Sequence, residues 1–353
     1  MTDIRKPSPG QESPLLEVKN LKVEFSIRQS FYKEYIKREK KIVHAVNDIS
    51  FNIGRGEIVS LVGESGSGKT TTGRAILQLV PTTSGEILFN GEEIRSKDKA
   101  YMRDFRKQAQ MIFQDPYQSL NPRFTVFEIV TEPLNLTNKR ATLAEKELQA
   151  IKALEFAGLR PAIDYLYRYP HELSGGQRQR VSIATCFIMA PEFIVADEPV
   201  SMLDASVRAD ILKLFVEMKK QKGSSFLFIT HDLALAWLIS DRIAIMYLGK
   251  IMELGPADLI SGGCLHPYSQ ALTSVLAMVG EERRMERIVL EGETPSPINL
   301  PSGCRFHPRC PIAEEKCRIE EPDTWEVEPG HYVYCHFPRK ICPQNGKQRA
   351  GQQ

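Results

Sequence analysis

Eight consecutive residues, Gly63-Glu64-Ser65-Gly66-Ser67-Gly68-Lys69-Thr70, have the types and spacing to hold a phosphate chain. They fit G-x-x-x-x-G-K-[ST] at every fixed position. Glycines let successive backbone N–H groups turn inward onto phosphate oxygens. Lys69 brings a compact positive charge to the β/γ-phosphates, and the Thr70 hydroxyl suits Mg²⁺. Residues 57–62 read as a buried strand and 70–79 as a helix, so the loop delivers phosphate to a helix N-terminus. A second constellation is Asp197-Glu198, directly after the apolar run 193–196. Asp197 at a strand end can hold Mg²⁺ through a water, and Glu198 can polarise or deprotonate an attacking water. A third is Leu173-Ser174-Gly175-Gly176-Gln177. Ser174 and Gln177 form an S-x-x-Q capping box that starts a helix, and its two glycines permit close approach of another molecule. Read alone it is a capped helix; read with the phosphate loop it is a second half-site for a γ-phosphate.

These groups need a scaffold. Residues 15–25 and 45–53 read as strands, with Gly54-Arg55-Gly56 as the turn before the loop strand. Residues 142–157 read as an amphipathic helix: Thr142 and Glu145 cap it, Leu148, Ile151 and Leu154 share a face, and Gly158 ends it. The apolar runs 193–196 and 226–229 suit central parallel strands. Strands alternate with helical patterns, which gives an α/β domain with a parallel sheet. Residues 262–268 read as a boundary, followed by a helix at about 269–289 and a tail rich in proline and cysteine.

The 353 residues imply about two domains. A hydrophobic content of 42% with 25% charged residues fits a globular protein, and no apolar run approaches the ~20 residues of a membrane span. The net charge of +2 neither implies nor excludes a nucleic-acid partner. Residues 1–14 are polar, carry no signal or transit pattern, and are expected to be disordered. Residues 28–41 hold six basic and two acidic side chains. They are either a solvated hairpin insertion or a contact for anionic headgroups or a neighbouring subunit. Five of the seven cysteines lie in the last fifty residues: Cys304, Cys310, Cys317, Cys335 and Cys342. In a cytosolic chain these are a metal site or inert buried thiols rather than disulfides.

Taken together, the motifs closely resemble the ATP-binding subunits of ABC transporters over about residues 15–262. The resemblance implies a P-loop NTPase (RecA-like) core with a helical subdomain at about 116–189, and a small cysteine-containing extension over 263–353. It implies ATP and Mg²⁺ as ligands, with Gly63 to Thr71 (Gly63, Ser65, Gly66, Ser67, Gly68, Lys69, Thr70 and Thr71) as the Walker A loop. Residues 193–197 become Walker B, with Glu198 as catalytic base. Ser174, Gly175, Gly176 and Gln177 belong to the signature, Gln114 senses Mg²⁺ and the attacking water, Asp204 is the D-loop aspartate, and His231 is the switch histidine. Phe25 falls where an aromatic stacks on adenine; the competing reading is a core aromatic on a strand. Met202 stands where the D-loop often has Ala, and Thr185 where the signature helix often has Arg. The resemblance further implies a dimer in which each ATP lies between the Walker loop of one subunit and the signature of the other.

The tract 113–123, the tract 169–174, residues 246–250 and the region from His266-Pro267-Tyr268 resemble the oligopeptide/dipeptide importer branch, and within it the subunit usually called F. That implies an ATPase at the cytoplasmic membrane face. Its expected partners are a second homologous ATPase, two permeases and, through them, an extracytoplasmic substrate-binding protein, with no nucleic acid. The rival reading is a soluble ABC ATPase acting on ribosomes or DNA, which usually has two fused ATPase modules or a long coiled-coil insertion. A regulatory, metal-sensing protein is a further rival. Cys304, Cys310, Cys317 and Cys335 can bind zinc or an iron–sulfur cluster, or no metal, and they lack the C-x-x-C pairs of zinc ribbons. A similar pattern in this branch is associated with a [4Fe-4S] cluster. Arg305, Arg309 and Arg318 nearby could offset a thiolate cage, and Cys186 reads as a core residue.

Overall fold

The computed structural model describes residues 13–27, 41–95, 97–137, 141–276 and 288–339. Most of the polar N-terminal stretch, the basic insertion through residue 40, the distal part of the 269–289 helix and Cys342 fall outside these residues.

Two sheets and a block of helices share the chain. The smaller sheet holds β1 (Leu16–Ile27), β2 (Lys41–Ile53), β4 (Ser84–Phe89) and β5 (Glu92–Glu93), in the order β2-β1-β4-β5. The larger sheet holds β3 (Ile58–Val62), β6 (Ala109–Ile112), β7 (Phe193–Asp197), β8 (Ser225–Thr230), β9 (Arg242–Tyr247), β10 (Lys250–Pro256), β11 (Thr324–Glu328) and β12 (His331–Tyr334). Its order is β11-β12-β10-β9-β3-β8-β7-β6. The five strands from β9 to β6 are mutually parallel, and their apolar runs are buried on both faces, as a helix-covered parallel sheet requires. Residues 116–187 are mainly helical, and their core runs from Val126 and Leu154 through Val181 to Phe215 and Phe226.

The helix Leu143–Phe156 starts on the expected Thr142–Glu145 capping box and ends at Gly158, whose φ is +81°. Its buried side is Ala150, Ala153 and Leu154, with Ile151 partly covered. Leu148 stands exposed, so the apolar stripe is narrower than its sequence suggested. The expected 269–289 helix begins earlier, as Pro267–Leu276.

The C-terminal region is not a detached module. The hairpin β11–β12 pairs antiparallel with β10 and lengthens the main sheet. Beneath it Tyr247, Tyr268 and Phe306 are fully buried and pack ring against ring, with centroids 4.9–5.3 Å apart. Glu253 of β10 is wholly buried and ties the region together. Its carboxylate accepts the Leu265 N–H at 2.8 Å and the His266 N–H at 3.0 Å, and faces His331 Nε2 of β12 at 2.7 Å. Burial with only a weak opposing pull from Glu253 lowers the His266 pKa to about 4, so its ring is neutral and accepts from the Tyr268 N–H.

Glu253→Ala orphans two buried backbone donors and His331. We expect it to cost about 3–5 kcal/mol, read as a lower midpoint in chemical denaturation. His331→Ala, which leaves the carboxylate its two backbone donors, should cost less.

Candidate active site

The phosphate loop hangs between two strands that fix its shape. β3 ends at Val62, and the helix Lys69–Ile76 begins directly after the loop with no side-chain cap, leaving its first N–H groups free. Gly68 has φ +106°, and a Cβ there would lie 2.3 Å from the Ala45 carbonyl oxygen. A Cβ on Gly63 would lie 2.1 Å from the Met246 carbonyl oxygen. Both glycines are therefore required by backbone contact within the chain. Lys69 is buried, and its ammonium donates to Gly63 O at 2.8 Å, Glu64 O at 2.9 Å and Ser67 Oγ at 3.4 Å. Burial lowers its pKa, against the pull of Glu198, Asp197 and Glu64. Ser65 and Gly66 are exposed, while Ser67 is buried and Thr71 half-buried.

Strand order brings the other groups in. Asp197 ends β7 and is 1% exposed; its Oδ1 accepts from Thr70 Oγ1 at 2.8 Å. Glu198 follows with φ +44°, a left-handed conformation that costs a non-glycine residue about 1–3 kcal/mol. Its N–H donates to Ile229 O on the neighbouring β8 at 2.9 Å. His231, just past β8, then places Nδ1 3.2 Å from Glu198 Oε2. Gln114, just past β6 on the other side, donates from Nε2 to the same oxygen at 3.1 Å. Gln114, Glu198 and His231 thus converge at the C-terminal ends of three adjacent parallel strands, beside Asp197, Thr70 and Lys69. That is where open parallel sheets hold ligands. The hydroxyl, carboxylate and amide oxygens of Thr70, Asp197 and Gln114 are hard donors that fit Mg²⁺ sharing its shell with water and phosphate.

The signature residues keep their bonds local. Ser174 Oγ accepts from the Gln177 N–H at 3.3 Å, and Gln177 Oε1 accepts from the Ser174 N–H at 2.9 Å, which is the expected capping box. No hydrogen bond or ion pair among the described residues joins this helix start to the phosphate loop. Gly176 has an intrachain reason as well: a Cβ there would meet Val207 Cγ1 at 2.9 Å. Asp204 caps the helix Ala205–Lys222, accepting from the Val207 N–H at 3.0 Å, which helps hold its carboxyl below the ordinary range. Phe25 lies on β1 opposite Val43 and is 37% exposed, so it is not a core aromatic. Met202 is exposed, and the Thr185 hydroxyl bonds back to Val181 O within its own helix.

Cys304, Cys310, Cys317 and Cys335 line one cavity of about 10 Å³, together with His266, Phe306 and Phe337. The four cysteines taken together in the sequence share this cavity, but the expected metal or cluster is not matched by their placement. Among the described residues no group of three or more His, Cys, Asp or Glu is disposed to hold a metal ion. The cavity has room for roughly one water. Burial pushes the Cys304 thiol up to about 12 and Cys310 to about 11. Two of the three arginines expected to offset a thiolate cage are engaged elsewhere: Arg305 with Glu321, and Arg309 with Glu64. Cys186 is buried in its helix, as expected. The Glu64–Arg309 ion pair beside the phosphate loop is a contact that the sequence reading did not expect, since Glu64 occupies a variable position of the motif.

Burial raises the Asp197 pKa, with the Thr70 hydrogen bond acting in the other direction. A carboxyl raised in the folded state stabilises the fold most below its ordinary pKa, and this is lost as pH rises through the folded value. At neutral pH the ionised group therefore costs stability. We expect Asp197→Asn to raise the melting temperature of the ligand-free chain, while removing most of the thermal stabilisation given by a magnesium–nucleotide complex.

Comparison with known proteins gives the family. Residues 46–201 match the ABC transporter family, and residues 252–317 match the oligopeptide/dipeptide transporter C-terminal region. The oligopeptide transport ATP-binding protein AppF of Bacillus subtilis is 44% identical over 93% of this chain and 98% of its own. Among solved structures, the ATP-binding cassette MJ0796, a dimer in a post-hydrolysis state bound to ADP and Pi, superposes with a TM-score of 0.60 at 27% identity. The match covers 69% of this chain and 98% of that one. CbiO1 of Clostridium perfringens, part of an ABC transporter complex, gives 0.59 at 27% identity over 71% of this chain and 92% of its own. The chain belongs to the ATP-binding proteins of ABC transporters, and is an ATPase whose cassette carries the oligopeptide/dipeptide transporter C-terminal region.

Proposed function

We propose that this chain hydrolyses ATP to power a membrane importer of di- or oligopeptides. What supports the reading is the convergence of Lys69, Asp197, Glu198, Gln114 and His231 at one end of the parallel sheet, on a chain that matches an oligopeptide transport ATP-binding protein nearly end to end. The loop N–H groups and Lys69 take the phosphates, with Phe25 against the adenine. Mg²⁺ held by Thr70, Asp197 and Gln114 would neutralise phosphate charge. Glu198 orients the attacking water and accepts its proton as the oxygen bonds to the terminal phosphorus and the bridging bond to ADP breaks. His231 and Gln114 hold the Glu198 carboxylate from either side.

The catalytic unit of this proposal is a pair. Ser174, Gly175, Gly176 and Gln177 serve the nucleotide bound by the partner ATPase, and Asp204 lies at the seam. A second, homologous ATPase fills the other half, two permeases anchor the pair at the cytoplasmic face, and a substrate-binding protein outside supplies cargo. No helix among the described residues is long and apolar enough to cross a membrane, which accords with a peripheral subunit. The four tail cysteines act here as packing rather than chemistry, and no step runs through a metal at that cavity.

Glu198→Gln should bind ATP, turn over at least ~100-fold more slowly, and accumulate as a closed dimer on size exclusion; full-rate turnover would remove Glu198 as the base. A tagged pull-down from detergent-solubilised membranes should recover two permeases and a second ATPase. Ribosomal proteins, or a lone soluble chain, would overturn the importer.

A further inference from the structure

The C-terminal region reaches back to the phosphate loop at Glu64. Arg309 Nη1 donates to Glu64 Oε2 at 2.9 Å and to Oε1 at 3.2 Å. Thr294 Oγ1 donates to Glu64 Oε2 at 2.6 Å and accepts from Arg309 Nη1 at 3.2 Å. The Glu64 N–H donates to the Tyr268 hydroxyl at 3.1 Å. Glu64 O, in turn, accepts from the Lys69 ammonium at 2.9 Å. One loop residue is thus held through its backbone on one side and its carboxylate on the other, and it holds the lysine.

The clasp is rooted in rigid structure. The Arg309 side chain is 9% exposed, and its guanidinium lies 5.8 Å from the centre of the Tyr247 ring, within the aromatic cluster of Tyr268 and Phe306. The segment carrying Thr294 is fastened independently: Pro297 O accepts the His44 N–H of β2 at 3.0 Å, one residue from the Ala45 carbonyl that crowds Gly68. An acidic side chain beside a triphosphate works against binding unless a fixed cation cancels it. Arg309 supplies that cation from the same chain.

We infer that Arg309 is a positioning residue for nucleotide binding, through which the C-terminal region neutralises Glu64 beside the phosphates. The inference rests on the ATPase reading and adds a cis control to it. It gives the extension a role in ATP affinity that is separate from membrane partners.

The test uses the full chain and displacement of a fluorescent ATP analogue by ATP. Lys69→Ala runs alongside: if it binds normally, the nucleotide site itself is misplaced, which is a different failure. Arg309→Ala should raise the dissociation constant for ATP roughly tenfold while kcat at saturating ATP stays within about twofold. Glu64→Gln alone should bind at least as tightly as the native chain, and Arg309→Ala/Glu64→Gln should return to within about twofold of Glu64→Gln. A merely structural arginine would leave the double variant as weak as the single. That result, or unchanged affinity in Arg309→Ala, overturns the proposal. Should Arg309→Ala not fold, Thr294→Val removes one donor without stranding a charge. A rise of about twofold in its dissociation constant supports the clasp, and no change overturns it.

Discussion

An ammonium buried in a ring of its own loop's oxygens is the constraint on which this structure turns. Lys69 has the free energy of a desolvated cation, offset by Gly63 O, Glu64 O and Ser67 Oγ and by three nearby carboxylates. None of these acceptors is fully anionic at bonding distance, so phosphate oxygens are better partners than those the lysine already has. The loop is consequently shaped before ligand arrives, and the close backbone approaches at Gly63 and Gly68 keep it from relaxing onto the lysine. Asp197 carries the complementary strain: a buried carboxylate bonded to the Thr70 hydroxyl, for which a divalent cation is the natural counter-charge.

Everything else about the site follows from strand order. With β3, β8, β7 and β6 adjacent and parallel, the residues just past each strand form one row. Glu198 turns into that row because its backbone adopts φ +44° and its N–H is captured by Ile229 O. That one bond between neighbouring strands sets the distance from Glu198 to His231, and the pairing of β6 with β7 does the same for Gln114.

What the sequence made legible tracks how local each feature is. The phosphate loop, the Thr142–Glu145 and Ser174–Gln177 boxes and the runs 193–196 and 226–229 are written in consecutive residues, and they fold as read. Gln114 and His231 carry no such pattern; only family resemblance identified them, because their role is created by strands that pair far from them in sequence. Leu148 was misread because a helix on the rim of a small subdomain buries one edge of its apolar stripe rather than the whole of it. The four cysteines do line one cavity, but spacing cannot reveal whether the thiols stand at metal-holding distances. The Arg309–Glu64 pair was invisible for the plainest reason: 245 residues separate its members, and each looked accounted for, one by a motif and one by its cysteine neighbours.

Under the proposed pairing, the two protein walls around a nucleotide would differ in kind. The signature helix spends its polar groups on its own cap, fits Val207 against Gly176, and leaves Ser174 exposed. Among the described residues no hydrogen bond or ion pair joins it to the phosphate loop, and under the proposed pairing it would act on a partner's nucleotide. The contacts at Glu64, by contrast, are complete within one chain, and their groups sit on an aromatic core that pairing does not build. If the pairing and the clasp both hold, cis and trans supports would be separable: the C-terminal contacts at Glu64 would bear on ATP affinity in the single chain, and the partner's signature would bear on hydrolysis in the pair.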